Sequence, residues 1–195
     1  MRPTVGVLAL QGAFAAHEQR LQECGVAARQ VRTPDDLERV AALVMPGGES
    51  TTMSKLLTSS GLFDAIETRL DSGMPVFGTC AGMILLATDV LDGRPDQRSF
   101  AALDIGVRRN GYGRQVDSFE ADLDISSVGA PPFHGVFIRA PKVERVGPGV
   151  EVLAEYHGVP VLLRRGRVSV ASFHPELAGD ARLHDLFIAT ITESN

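Results

Sequence analysis

The chain has 195 residues, of which 44% are apolar and 22% charged, with a formal net charge of −5 at pH 7. That length suits one domain, able to bury about 70% of the surface its unfolded chain exposes, and the composition is that of a globular rather than a disordered chain. The acidic balance, the absence of Trp and the presence of only two Tyr argue against a nucleic-acid binder with basic faces and stacking platforms.

The N-terminus runs from Met1-Arg2-Pro3 straight into the apolar stretch Thr4–Leu10 with no small-residue cleavage site after it. It reads as a buried first strand, not a signal peptide. No apolar run approaches the roughly 20 residues that a bilayer demands. Phe14–Cys24 reads as a helix stopped by Gly25, and Val26–Val31 as a second strand. Thr33-Pro34-Asp35-Asp36 opens a short helix with a cap, a proline and acidic residues in its first turn. Ala41–Met45 is a third strand, closed by Pro46-Gly47-Gly48. Ser50 or Thr51 is expected to cap a helix that runs to about Thr58, and a further helix spans about Phe63–Leu70 before Gly73. Pro75-Val76-Phe77 is a strand ending at Gly78. Ala81–Thr88 is expected to be helical and Asp89–Ser99 a loop.

From Ile105 onward short strands and turns dominate, at Gly111-Tyr112-Gly113, Phe133–Ile138, Val150–Ala154, Val159–Leu163 and Val168–Ser172, before a last helix over Asp180–Ile191. Strand–helix alternation followed by a strand-rich half predicts an α/β fold, with a mostly parallel central sheet and an antiparallel extension. The basic runs Arg108, Arg109, Arg114 and Arg164, Arg165, Arg167 read as solvated faces. Cys24 and Cys80 have no CxxC spacing and suit a reducing, cytoplasmic setting.

The sharpest chemical signal is Val76-Phe77-Gly78-Thr79-Cys80-Ala81-Gly82. A cysteine stands where a strand turns into a helix, the geometry of a nucleophile elbow with sulfur in place of oxygen. Unpaired N–H groups and the helix dipole favour a thiolate there, and the Ala81 N–H is placed to meet an oxyanion. Taken alone, Cys80 is equally readable as a small buried apolar residue between two glycines. A second signal is Phe173-His174-Pro175-Glu176 after a strand: a base and its orienting acid, two residues apart. An extended segment there would turn both side chains the same way, with Pro175 fixing the bend between them. Parallel strands would bring Cys80 and His174 to one sheet edge, where ligands bind in open α/β sheets. His17, His134, His157 and His184 have no equivalent setting and read as surface or core-satisfied histidines. Met45-Pro46-Gly47-Gly48-Glu49-Ser50-Thr51-Thr52 is a glycine turn before a helix. It lacks the Lys of a phosphate loop, and a turn donating N–H groups to a polar substrate or an oxyanion fits it better.

These segments occur in one order along the chain: Ala9-Leu10-Gln11-Gly12, Pro46–Thr52, Gly78-Thr79-Cys80-Ala81-Gly82, Arg109-Asn110 with Gly113-Arg114-Gln115-Val116-Asp117-Ser118-Phe119-Glu120, Gly135–Pro141 and Ser172–Leu177. Together they resemble the class I (triad) glutamine amidotransferases, and among them the glutaminase subunits of pyridoxal 5′-phosphate synthase. The resemblance covers nearly the whole chain and implies one glutaminase domain over residues 1–195. It implies a three-layer fold around a flavodoxin-like sheet.

It also implies a Cys80 nucleophile, a His174 base and acid, and a Glu176 orienting partner. Gly48, Glu49 and Ser50 match the family's glutamine-binding turn. Arg109, Ile138 and Arg139 match further substrate contacts, and the N–H groups of Gly48 and Ala81 would bind the oxyanion. Gln11 lies in a segment that the family uses near the active site and the synthase interface. The implied partner is a (β/α)8-barrel synthase subunit that receives ammonia, and no metal or cofactor is implied. Within the same resemblance the glutaminase is weak until that partner docks. A glutaminase serving another pathway, a cysteine peptidase or γ-glutamyl hydrolase, and a chain that only binds the synthase remain the alternatives.

Overall fold

The computed structural model describes residues 3–112 and 118–192. The chain begins β1 (Thr4–Leu8), α1 (Phe14–Glu23), β2 (Ala27–Val31), α2 (Pro34–Glu38), β3 (Ala42–Met45), α3 (Ser50–Ser59), α4 (Leu62–Asp71), β4 (Val76–Thr79) and α5 (Ala81–Leu86). Eight strands follow: β5 (Ala87–Val90), β6 (Leu103–Arg108), β7 (Ser118–Leu123), β8 (Phe133–Ile138), β9 (Lys142–Val146), β10 (Glu151–Tyr156), β11 (Val159–Arg165) and β12 (Val168–Ala171). A single 3₁₀ turn, Pro175–Leu177, precedes α6 (Arg182–Thr192).

Among the described residues, seven strands form the main sheet in the order β10-β11-β12-β4-β3-β1-β2. The run from β12 to β2 is parallel, while β10 and β11 extend it antiparallel. Strand order 2-1-3-4 followed by a late parallel strand is the flavodoxin-like arrangement, as expected. β3 shows why its residues make a doubly covered strand. Side chains alternate between faces, so Ala42 and Val44 join Val5, Val7 and Phe77 on one side. Leu43 and Met45 join Leu8 and Met53 on the other. Helices α1 and α6 cover the first face through Leu21, Leu183 and Phe187, and α2, α3 and α4 cover the second through Leu37, Leu57 and Phe63. No helix of the described residues is long and apolar enough to cross a membrane.

Three expectations change. The helix expected over Ala81–Thr88 stops at Leu86. Ala87–Val90 instead pairs parallel with β6, where the Thr88 hydroxyl donates to the Leu103 carbonyl at 3.0 Å. The cap of α3 is neither Ser50 nor Thr51. Glu49 takes that place, its carboxylate accepting from the N–H groups of Thr51 and Thr52 at 3.1 and 2.7 Å. The segment after His174 is not extended: with Pro175 preset for a helical first turn, it closes at once into the 3₁₀ turn. The stretch Gly113–Asp117, including Arg114, lies outside the described residues. Arg108 and Arg164 sit on the surface in ion pairs with Glu144 and Glu151.

Candidate functional site

Cys80 follows β4 and precedes α5 with φ 52° and ψ −106°. A non-glycine residue held there costs on the order of 1–3 kcal/mol and persists only where its surroundings enforce it. The enforcement is visible. The Cys80 N–H donates to the Ala171 carbonyl of β12 at 2.8 Å. Gly82 lies so close to the Met45 carbonyl that a Cβ there would overlap it, and a Cβ on Gly78 would come within 2.7 Å of the Gly82 carbonyl. The two glycines therefore let α5 descend onto β3, which raises the thiol at the sheet edge.

The β4–β12 register pairs Thr79 with Ala171, so the chain leaves both strands at the same edge and His174 comes to Cys80. The β7–β8 hairpin seats this turn. Phe137 and Phe133 pack against Phe173 with ring centroids 5.4 and 5.9 Å apart, and the His174 N–H donates to the Val136 carbonyl at 2.8 Å. His174 Nδ1 donates to Glu176 Oε1 at 2.8 Å, with the Glu176 side chain fully buried. Burial alone would lower the His174 pKa. Hydrogen bonds with Cys80 and Glu176, and the negative charge each can carry, outweigh burial and raise it to about 10. Burial alone would raise the Glu176 carboxyl, and the bond from His174 brings it below the ordinary range instead.

Sulfur, imidazole and a cavity of about 420 Å³ share one wall. Gly48, Glu49, Ser50, Cys80, Ile84, Arg109, Asn110, Ile138, Arg139 and His174 line it. The structure thus brings together the residues singled out from sequence, drawn from the ends of β3, β4, β6 and β8 and the turn after β12. Ala81, the first residue of α5, has no intrahelical partner for its N–H. Ile138 presents its carbonyl 3.9 Å from Cys80 Sγ. Arg139 takes φ 42° at the end of β8.

Glu49 plays a part that its match to the glutamine-binding turn does not foretell. Burial would raise its carboxyl, but hydrogen bonds from Thr52 and Thr51 hold it down at about 2, so the charge is committed to the start of α3. Its N–H donates to Gln11 Oε1 at 2.8 Å, and Gly12 packs so tightly on the Gly47 carbonyl that no Cβ fits. The segment after β1 therefore braces the glycine turn.

Arg109 is also held by Thr51, from the glycine-turn motif, and by Gln97 and Asp92, which no motif announces. Its guanidinium donates to the Thr51 hydroxyl at 2.9 Å and lies 3.5 Å from Gln97 Oε1, while its own N–H donates to Asp92 at 2.7 Å. His134 is a surface residue against Glu120 and Asp122. His17 and His184 are fully buried, as a core reading allows, but they lie behind Glu176. The spacing of His17 and Leu21 marks one buried face of α1 but not what that face meets.

The sequence matches the profile of the SNO glutamine amidotransferase family over residues 7–193. The chain belongs to the SNO glutamine amidotransferase family. Two relatives bear the name "Pyridoxal 5'-phosphate synthase subunit PdxT". One, from Mycobacteroides abscessus, is 55% identical over 188 residues, covering 96% of this chain and 97% of the relative. The other, from Herpetosiphon aurantiacus, is 54% identical over 187 residues, covering 95% and 98%. Among solved structures, one described as a glutamine amidotransferase superposes with a TM-score of 0.91 at 48% identity, covering 97% of this chain and 99% of that one. A glutamine amidotransferase from Thermotoga maritima shares the fold of this family member, with a TM-score of 0.62 at 15% identity and coverage of 97% and 82%.

Proposed function

We propose that the chain is a glutaminase, acting as one domain, that hydrolyses L-glutamine to L-glutamate and ammonia through Cys80, His174 and Glu176. Its ammonia passes to a (β/α)8-barrel synthase subunit that builds pyridoxal 5′-phosphate. The observation that carries the reaction is the contact between Cys80 and His174 at one sheet edge, with Glu176 behind the imidazole and a cavity in front of the sulfur. The observation that carries the pathway is the name shared by relatives more than half identical over nearly the full length.

The steps follow from the donor and acceptor inventory. An ionised carboxylate only accepts, so Glu176 fixes the His174 proton on Nδ1 and leaves Nε2 to serve Cys80. The thiolate adds to the side-chain amide carbon of glutamine and the C=O bond becomes an oxyanion. The N–H groups of Ala81 and Gly48 are its donors. The imidazolium gives its Nε2 proton to the amide nitrogen, the C–N bond breaks, ammonia leaves and a γ-glutamyl thioester remains. His174 then takes a proton from water as it attacks the thioester, and glutamate departs with the sulfur restored. Arg109 and Arg139 supply charge-assisted bonds to the α-carboxylate of the substrate. Ile138, Ser50 and the backbone at Glu49 shape the pocket around it. A thiol nucleophile suits a reducing compartment, and we assign the reaction to the cytoplasm.

The test is glutamate release by the chain mixed with its synthase subunit. Cys80→Ala should abolish release while leaving the two proteins bound to each other. Release by the Cys80→Ala variant at the wild-type rate would remove the sulfur from the reaction. Steady release by the chain alone, unaltered when the synthase is added, would remove the dependence on the partner.

A further inference from the structure

The proposed reaction leaves two buried histidines unused. His17, on α1, and His184, on α6, are both inaccessible to solvent, and His17 Nδ1 lies 2.9 Å from His184 Nε2. The other nitrogen of His17, Nε2, is 3.3 Å from Glu176 Oε2 and 3.3 Å from the hydroxyl of Thr79, the residue before Cys80. Glu176 Oε1 is taken by His174, whereas Oε2 is buried and makes no hydrogen bond. The nitrogen that faces this oxygen is His17 Nε2.

We propose that His17, backed by His184, is a positioning residue for the glutaminase reaction: it faces the second oxygen of Glu176 with an N–H and thereby fixes the carboxylate against His174. The inference rests on the function proposed above and extends the triad inward by two side chains.

The protonation pattern follows from chemistry already in place. Glu176 is ionised and only accepts, so the nitrogen facing Oε2 carries the proton, the Thr79 hydroxyl accepts from that same N–H, and His17 is the Nε2–H tautomer. Its Nδ1 is then an acceptor, so His184 donates from Nε2. That leaves His184 Nδ1 without a proton, in keeping with its lack of any hydrogen bond. Both rings are neutral. Burial brings His17 down to about 4, and burial, with the Arg20 charge nearby, takes His184 well below its ordinary value. A neutral donor is what the site needs here, because a second cation beside Glu176 would compete with His174 for the carboxylate. Phe77 meets the His184 ring edge-on at 6.0 Å, so the outer end of the chain is packed as well as hydrogen-bonded. Each contact constrains the next: His184 the ring plane of His17, His17 at 3.3 Å the carboxylate, the carboxylate the imidazole.

The experiment measures glutamine hydrolysis by the chain in complex with its synthase subunit for wild type, His17→Leu and His17→Gln, with the melting temperature of each. Glutamine at 17 keeps an N–H near the place of the imidazole Nε2, and leucine does not. His17→Leu should lower kcat by about 10–100-fold, the range typical of residues that orient metal-ligating side chains by hydrogen bonds, with KM for glutamine within about twofold. His17→Gln should recover most of the loss. An unchanged kcat in His17→Leu, or an equal loss in both variants, would overturn the proposal.

Nitrogen-15 NMR of the histidines in the wild-type chain provides a readout that needs no variant to fold. A proton on Nε2 of both His17 and His184 is expected, and a proton on Nδ1 of His17 would overturn the proposal outright. A wild-type complex that releases no glutamate would instead defeat the proposed function, and the NMR result would still decide the arrangement of the two histidines.

Discussion

Replacing Glu176 by Gln removes one negative charge without changing side-chain volume, so it separates orientation from packing. Both carboxylate oxygens face nitrogens: Oε1 accepts from His174 Nδ1 at 2.8 Å and Oε2 lies 3.3 Å from His17 Nε2. An amide has only one acceptor. With its oxygen toward His174, its NH2 opposes the His17 N–H, and the pair of buried donors costs about 1–3 kcal/mol. With its NH2 toward His174, Nδ1 must become the acceptor and the proton moves to Nε2, where it can no longer be taken from Cys80. Either arrangement removes the charge that stabilises the imidazolium. The equivalent carboxylate-to-amide change in a serine protease triad costs about 10⁴ in kcat. We expect a fall of about 10³–10⁴-fold here, or roughly 4–5 kcal/mol of barrier. At about 2–4 °C per kcal/mol for a domain of this size, the melting temperature should fall by roughly 2–12 °C. The assay is glutamate release by the complex with the synthase subunit, beside a calorimetric scan. Turnover within about tenfold of wild type alongside the expected loss of stability would make Glu176 a structural acid with no part in orienting His174.

Three other perturbations have defined signs. Gly82→Ala would ordinarily help a helix by about 0.5–1 kcal/mol, but its Cβ meets the Met45 carbonyl. Thermal denaturation should show a net loss of about 1–3 kcal/mol, and a raised melting temperature would contradict the close approach of α5 to β3. Glu49→Ala removes the carboxylate that accepts from Thr51 and Thr52. It should cost about 0.5–2 kcal/mol in chemical denaturation, and no loss would mean that the cap is idle. Stability should peak near pH 6.5, because His17 and His174 are shifted in opposite directions. His17 is depressed to about 4. The unfolded chain therefore takes its proton first, and about 3 kcal/mol present above pH 6.5 drains away as pH falls through 4. His174 is raised to about 10, so its contribution is full below pH 6.5 and is lost as pH climbs through 10. A urea-denaturation profile flat from pH 4 to 10 would contradict both assignments.

Much of the site was legible because it depends on local chain geometry. Gly78, Cys80 and Gly82 announce a strand-to-helix turn tight enough to need two glycines, and the structure uses each against a named backbone atom. His174 and Glu176 are neighbours in sequence, so their pairing needed only the right turn; the extended form expected for it proved to be a 3₁₀ turn because Pro175 starts one readily. The doubly buried strands β1, β3 and β4 were readable as apolar runs. What was not legible depends on partners far away in the chain. In the two smaller sheets β7 and β9 carry mixed, partly exposed patterns, β6 lies mostly buried between β5 and β9, and the pairing of all three is decided by tertiary contacts. The Glu49 cap was masked by the stronger general preference for Ser and Thr at that position. His17 and His184 are 167 positions apart, on helices whose meeting no local spacing reveals. Thr51 and Gln97 reach Arg109 only through the return of β6 to the cavity.

Glutamine hydrolysis here requires that the Cys80 sulfur attack a glutamine side chain held in the cavity. The most direct measurement is covalent trapping with a glutamine-analogue electrophile, with and without the synthase subunit, followed by mass analysis of the labelled peptide. One label on Cys80, formed faster with the synthase and suppressed by excess L-glutamine, is the predicted result. Label on Cys24 in place of Cys80, or labelling of Cys80 that L-glutamine does not slow, would contradict it.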